Sequence, residues 1–202
     1  MTWEDFDNRF SDETECRNYI KSYREKIGIK CRKCGNDEMV YSKSNEAWTC
    51  SKCKSVTTLT SGTIFQYSKF PIQKWLKTIF FMSDKNKFIT ANEMQQLLEQ
   101  NTPVHTAYIM HRVRSAMLQY LQEKKINVKV GDKVAKAILA NHRFVIDKYS
   151  ELYIAEHLYK RLPENTEENA FDNLLAICLT HTSDVSKTPR TSKDKLKKES
   201  DS

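Results

Sequence analysis

Apolar and aromatic residues recur at Cys16, Tyr19, Ile20, Tyr23 and Ile27 in ETECRNYIKSYREKIG, one face of a leading helix that stops at Gly28. The pattern then shortens. From Cys31 to about Thr63 the runs MVYSK, EAWTC and VTTLTSGTIF, separated by Gly, Asn and Ser, predict small antiparallel strands. After Pro71 the helical period returns in IQKWLKTIFFMS, with Trp75, Ile79, Phe80 and Met82 as its stripe. A second helix is announced by TANEMQQLLEQ, where Thr90 caps and Glu93 completes a capping box. A third starts at TPVHTAYIMHRVRSAMLQYLQ, with Thr102 as cap and Pro103 at the first helical position, where a missing N–H costs nothing. Residues 131–182 carry a mainly helical pattern, and residues 183–202, almost without apolar side chains, predict a disordered tail. The fold class expected is a small β domain followed by a helical bundle, mainly α overall.

Length and composition refine this only slightly. The chain has 202 residues, 39% hydrophobic and 29% charged, enough for one medium domain or two or three small ones. No apolar run approaches the roughly 20 residues of a membrane span, so no membrane partner is expected. The acidic start MTWEDFDNRFSDETE lacks the basic and apolar parts of a signal peptide, and the expected location is the cytoplasm. Charge changes the picture more. The net value of +7 is uneven: residues 31–130 carry +8, while residues 1–30 carry −1 and residues 131–202 carry none. Such a local surplus is the footprint of phosphate binding, although a solvated lysine surface gives the same count.

The chemistry is concentrated in CRKCGNDEMVYSKSNEAWTCSKC. Two C-x2-C pairs, Cys31 with Cys34 and Cys50 with Cys53, present two sulfurs each from tight turns and can close a tetrahedron across a short hairpin. Four thiolates around a d10 ion leave no position open for substrate, so the expected cofactor is structural Zn2+. A redox CxxC is the competing account, but that motif comes as one pair beside a βαβ pattern. Metal binding would supply folding free energy that so short a segment lacks on its own. Arg32, Lys33, Lys52 and Lys54 offset the formal −2 of the loaded site. Cys16 and Cys178 stand alone on apolar faces and read as small core residues.

The cap-defined second helix, the connection NTP and the third helix fit a helix-turn-helix, in which the third helix of the bundle enters the major groove. The candidate contacts to double-stranded DNA are His105, Thr106, His111, Arg112 and Arg114 on that helix, with Lys85 and Lys87 before the second. A generic three-helix bundle has the same pattern. In that reading His111 satisfies a buried polar contact and Arg114 pairs with Glu93 or Glu99.

The order IKCRKCG, WTCSKCK, LTSGTIF, FPIQKW and TAYIMHRVRSAM resembles the amino-terminal region of zinc-ribbon insertion-sequence transposases with a DDE-type catalytic domain, over about residues 10–120. The resemblance implies that Cys31, Cys34, Cys50 and Cys53 hold zinc and that residues 102–121 belong to a helix-turn-helix that recognises the element's terminal repeats. It also implies a ribonuclease-H-like domain whose acidic residues hold two Mg2+ ions, and here the chain departs from the pattern. Residues 131–182 are too few for that domain, and they resemble its carboxy-terminal end, with Asn141 and Arg143 at the late Asn-x-Lys positions and FDNLLAIC as the closing helix. Asp147 sits in a helical pattern and is followed by Lys, while Asp172 and Asp184 lie in a helix and a polar tail. No catalytic residue is therefore assigned.

The organisation expected is a leading helical segment at 1–30, a zinc ribbon at 31–66, a helix-turn-helix bundle at 67–127, a helical remnant of a catalytic domain at 128–182, and the tail. The function expected is zinc-dependent recognition of insertion-element ends without cleavage or strand transfer, with an intact transposase or a second copy as further partner. A divergent active transposase and a zinc-ribbon protein-interaction module are the alternatives.

Overall fold

A computed structural model describes residues 2–129, 131–140 and 149–182. Asn141, Arg143, Asp147 and the tail with Asp184 lie outside the described residues.

Two helices open the chain. Helix α1 (Trp3–Arg9) is seven residues long and starts from a capping box between Thr2 and Asp5. Helix α2 (Glu13–Ile27) is capped by Asp12 and stops at Gly28, whose φ of 87° a side chain would resist. Strands β1 (Met39–Ser42), β2 (Ala47–Cys50) and β3 (Val56–Thr58) form an antiparallel meander in the order β1-β2-β3. Met39 lies opposite Cys50 and Ala47 opposite Thr58. The run VTTLTSGTIF is strand only at its start, and turns follow.

Helix α3 (Ile72–Ser83) follows Pro71, which offers no side-chain cap. Glu13 supplies one from a distance: its carboxylate accepts from the N–H groups of Ile72 and Gln73, both at 2.9 Å. Helix α4 (Ala91–Leu97) carries the expected Thr90–Glu93 capping box. Helix α5 (Pro103–Glu123) begins at Pro103 as expected, but the Thr102 side chain makes no capping hydrogen bond. Helices α6 (Asp132–Leu139), α7 (Ser150–Lys160) and α8 (Ala170–Thr180) complete the described elements.

One apolar cluster runs from Phe6 and Ile20 through Trp48, Phe65 and Trp75 to Met117, Ile154 and Leu174. Residues beyond 128 therefore share the core of the amino-terminal part. Helix α7 lies along α5, α8 packs on α3 and α5, and the N–H of Ile64 donates to the carbonyl of Cys178 at 3.1 Å. Cys16 and Cys178 are fully buried, as their apolar faces predict.

The α5–α7 contact contains a buried ionic cluster. Glu156 accepts from Arg114 Nε at 2.6 Å and pairs with Lys160 Nζ at 3.0 Å, with all three side chains nearly or fully buried. Lys160 also donates to the carbonyl of Lys87 at 2.7 Å. Burial alone would raise the Glu156 carboxyl, but Arg114 and Lys160 override it and hold the group below its ordinary value. Replacing Glu156 by Ala would leave two buried cations without their counter-charge, and we expect urea denaturation to report a loss of about 3–5 kcal/mol. The stabilisation that Glu156 contributes is complete above the ordinary carboxylate pKa of about 4.3 and drains away as pH falls through its lower folded value. Glu156→Gln is expected to flatten that acid limb.

Candidate metal centre and nucleic-acid interface

The two CxxC segments fold alike. In the first, Gly35 N–H donates to Cys31 O and Cys31 N–H to Asn36 O, both at 2.8 Å. In the second, Lys54 N–H donates to Cys50 O at 3.1 Å and Cys50 N–H to Ser55 O at 2.9 Å. The residue after the second cysteine takes a positive φ each time, 74° at Gly35 and 59° at Lys54. Each turn thereby aims its two sulfurs to the same side.

The sulfurs converge. Cys31 and Cys53 approach to 3.5 Å and Cys34 and Cys50 to 3.6 Å, and all four lie within 4.8 Å of one another. A metal–sulfur bond of about 2.3 Å places tetrahedral sulfurs about 3.8 Å apart, so the donor set fits structural zinc. Backbone N–H groups prepare the ligands. Those of Cys53 and Lys52 help bring the Cys50 thiol down to about 6, and those of Cys34 and Lys33 lower Cys31. The Asn36 N–H also lowers Cys34, but sulfur neighbours at Cys53, Cys31 and Cys50, with some local desolvation, drive it up to about 12. A divalent cation replaces such shared protons. Cys31 and Cys50 are buried, Cys53 is half-buried and Cys34 is exposed.

Arg24 fastens this centre to the helical body. Its guanidinium, buried on α2, donates to the carbonyls of Thr58, Leu59 and Ser61 at 2.9, 2.6 and 3.0 Å. The same group lies 5.5 Å from the Trp48 ring, and Trp48 Nε1 donates to Glu25 at 3.3 Å. Burial lowers the Arg24 guanidinium to about 10, well above neutrality. Sequence periodicity missed Arg24 because a cation inside an apolar stripe has no periodic signature.

The candidate DNA contacts separate into two groups. His105 and Lys87 are exposed and Lys85 is half-exposed. Thr106 is buried and turns its hydroxyl to Thr102 O. Arg112 is buried, with Nη2 donating to Gln66 O at 2.7 Å, and Arg114 is buried on Glu156 rather than on Glu93 or Glu99. These three placements correct the sequence expectation. A helical wheel assumes one covered side, whereas α5 is packed by α3, α4, α7 and α8. His111 is half-buried, its ring 4.2 Å from that of Tyr149. Val104, His105 and Tyr108 form the exposed face of the first turns of α5.

A closed four-sulfur ribbon mounted on a helical body is the class of structure these features define. Residues 11–56, from before α2 to the start of β3, match the family model described as a transposase zinc-ribbon domain. The matched segment takes in both Glu13 and Arg24. Neither a curated protein nor a solved structure matches the chain. No described helix is long and apolar enough to cross a membrane.

The paired turns make a direct prediction. Lys54→Gly relieves a side chain from positive φ and is expected to raise the stability of the zinc-loaded protein by up to ~1 kcal/mol, whereas Gly35→Lys lowers it by a similar amount. Thermal unfolding of the two variants checks both signs.

Proposed function

We propose that this protein is a transposase-derived, zinc-dependent protein that binds double-stranded DNA at insertion-element ends and has lost cleavage and strand transfer. The observation that carries the reading is the transposase zinc-ribbon match at residues 11–56, together with four sulfurs gathered as a metal site requires. Charge supports it. The sequence has no carboxylate between Glu46 and Asp84, nor between Glu99 and Glu123, and Lys52, Lys54 and Lys87 stand exposed in or beside those stretches. In this reading α4 and α5 form the helix-turn-helix, His105 and Tyr108 face base edges, and Lys85 and Lys87 take phosphates. Arg112 and Arg114 keep α5 in place from within.

Loss of cleavage is supported by how two of the described carboxylates, Glu156 and Asp172, are engaged. DDE-type chemistry needs carboxylates that converge on two divalent ions. Glu156 is neutralised by Arg114 and Lys160, and Asp172 accepts from the Tyr19 hydroxyl at 3.0 Å. A chain of this kind occupies terminal repeats in competition with an intact transposase or pairs with a second copy of itself.

Fluorescence anisotropy on a pool of random-sequence duplexes, followed by selection of the tightest binders, tests the reading. About four phosphate contacts predict a log–log salt slope near −3.6 and a loss of roughly 150-fold between about 50 and 200 mM salt. No binding at the lower salt would overturn the proposal.

A further inference from the structure

Between β3 and α3 the chain carries one side chain that folding does not explain. Tyr67 is 94% exposed and has a φ of 62°, a left-handed conformation that Gly or Asn adopts more readily. The turn around it is closed by Gln66 N–H on Thr63 O at 3.1 Å and Ser68 N–H on Phe65 O at 3.0 Å. Neither burial nor backbone geometry favours tyrosine there.

Its neighbours, by contrast, are fastened from both sides. Gln66 O accepts from the buried Arg112 of α5 at 2.7 Å, and the Gln66 side-chain oxygen accepts from Arg32 of the first cysteine turn at 3.2 Å and from Gly62 N–H at 2.9 Å. Ser68 Oγ accepts from Trp75 Nε1 at 3.3 Å. The ribbon and α5 thus meet at Gln66, and Tyr67 projects from that junction. With its backbone fastened on both sides, Tyr67 has only its two side-chain torsions to lose on binding. The surroundings are cationic: Arg32 and Lys69 are exposed, and no acidic residue occurs from Ala47 to Ser83. On the α5 side the Arg112 guanidinium lies 5.7 Å from the ring of Tyr108, itself 42% exposed.

We propose that Tyr67 is the aromatic contact of a composite DNA surface, entering a groove and wedging at a base step while Arg32 and Lys69 take flanking phosphates and Tyr108 continues the surface onto α5. Ribbon and helix then engage DNA as one unit joined at Gln66. The inference rests on the DNA-binding reading above and adds a contact that the helix-turn-helix alone does not contain. A wedging ring needs no particular base partner, and the partial unstacking it causes is offset by the closer contact that the bent duplex allows.

The test uses the full zinc-loaded chain and the random-duplex pool. Tyr67→Gly is expected to unfold at the same or a higher temperature, because glycine suits the positive φ, yet to bind at least about fivefold more weakly with an unchanged salt slope. Tyr67→Phe keeps the affinity, and Arg32→Gln and Lys69→Gln each flatten the slope by about 0.9. Tyr67→Gly binding as tightly as the wild type would overturn the inference, leaving the DNA reading intact and this surface to a protein partner. A lowered unfolding temperature in Tyr67→Gly would also overturn it, since the tyrosine would then serve the fold. Absence of binding by the wild type would remove the DNA reading together with this one.

Discussion

Four sulfurs brought within 4.8 Å of one another are the constraint on which the amino-terminal half depends. Strands of three or four residues cannot hold a meander by their ladders alone, and the sheet gives the shared apolar cluster one buried side chain, Trp48, with the half-buried Met39 and Tyr41 packed against it. Metal binding supplies the missing folding free energy. The two matched turns, each with a positive φ after its second cysteine, convert a sequence spacing into a tetrahedral donor set. Thr58, Leu59 and Ser61 then carry that order to Arg24, and α2 passes it on through Glu13 to the start of α3.

The carboxy-terminal half has a different foundation. Helix α5 is covered on several sides, and its two arginines are spent on holding partners: Gln66 for Arg112 and Glu156 for Arg114. The cluster of Arg114, Glu156 and Lys160 binds α7 to α5 and, through the Lys87 carbonyl, to the connection between α3 and α4. Residues 150–180 thereby complete the core of the helices before them. Whatever their origin, they now serve the body that carries the ribbon.

Much of this was legible in the sequence because it depends on short-range chemistry. The cysteine spacing, the Thr90–Glu93 box and Pro103 at the first position of α5 each act within a few residues of themselves. What escaped was long-range or counter to type. Helix α1 is too short for a periodic signal, although Phe6 is buried. Glu13 caps a helix that begins 59 residues later, and Arg114 finds its partner 42 residues away. Reading Arg112 and Arg114 as surface contacts followed from their charge, which in a folded chain is no bar to burial when carbonyls or a carboxylate wait inside.

Hydrogen exchange of the native protein with and without a zinc chelator tests the central claim most directly. The account predicts that amides from Cys31 to Thr58 lose protection together on chelation, while those of α5 and α7, held by the buried ionic cluster, keep theirs. Unchanged protection across Cys31 to Thr58 after verified zinc removal would contradict it.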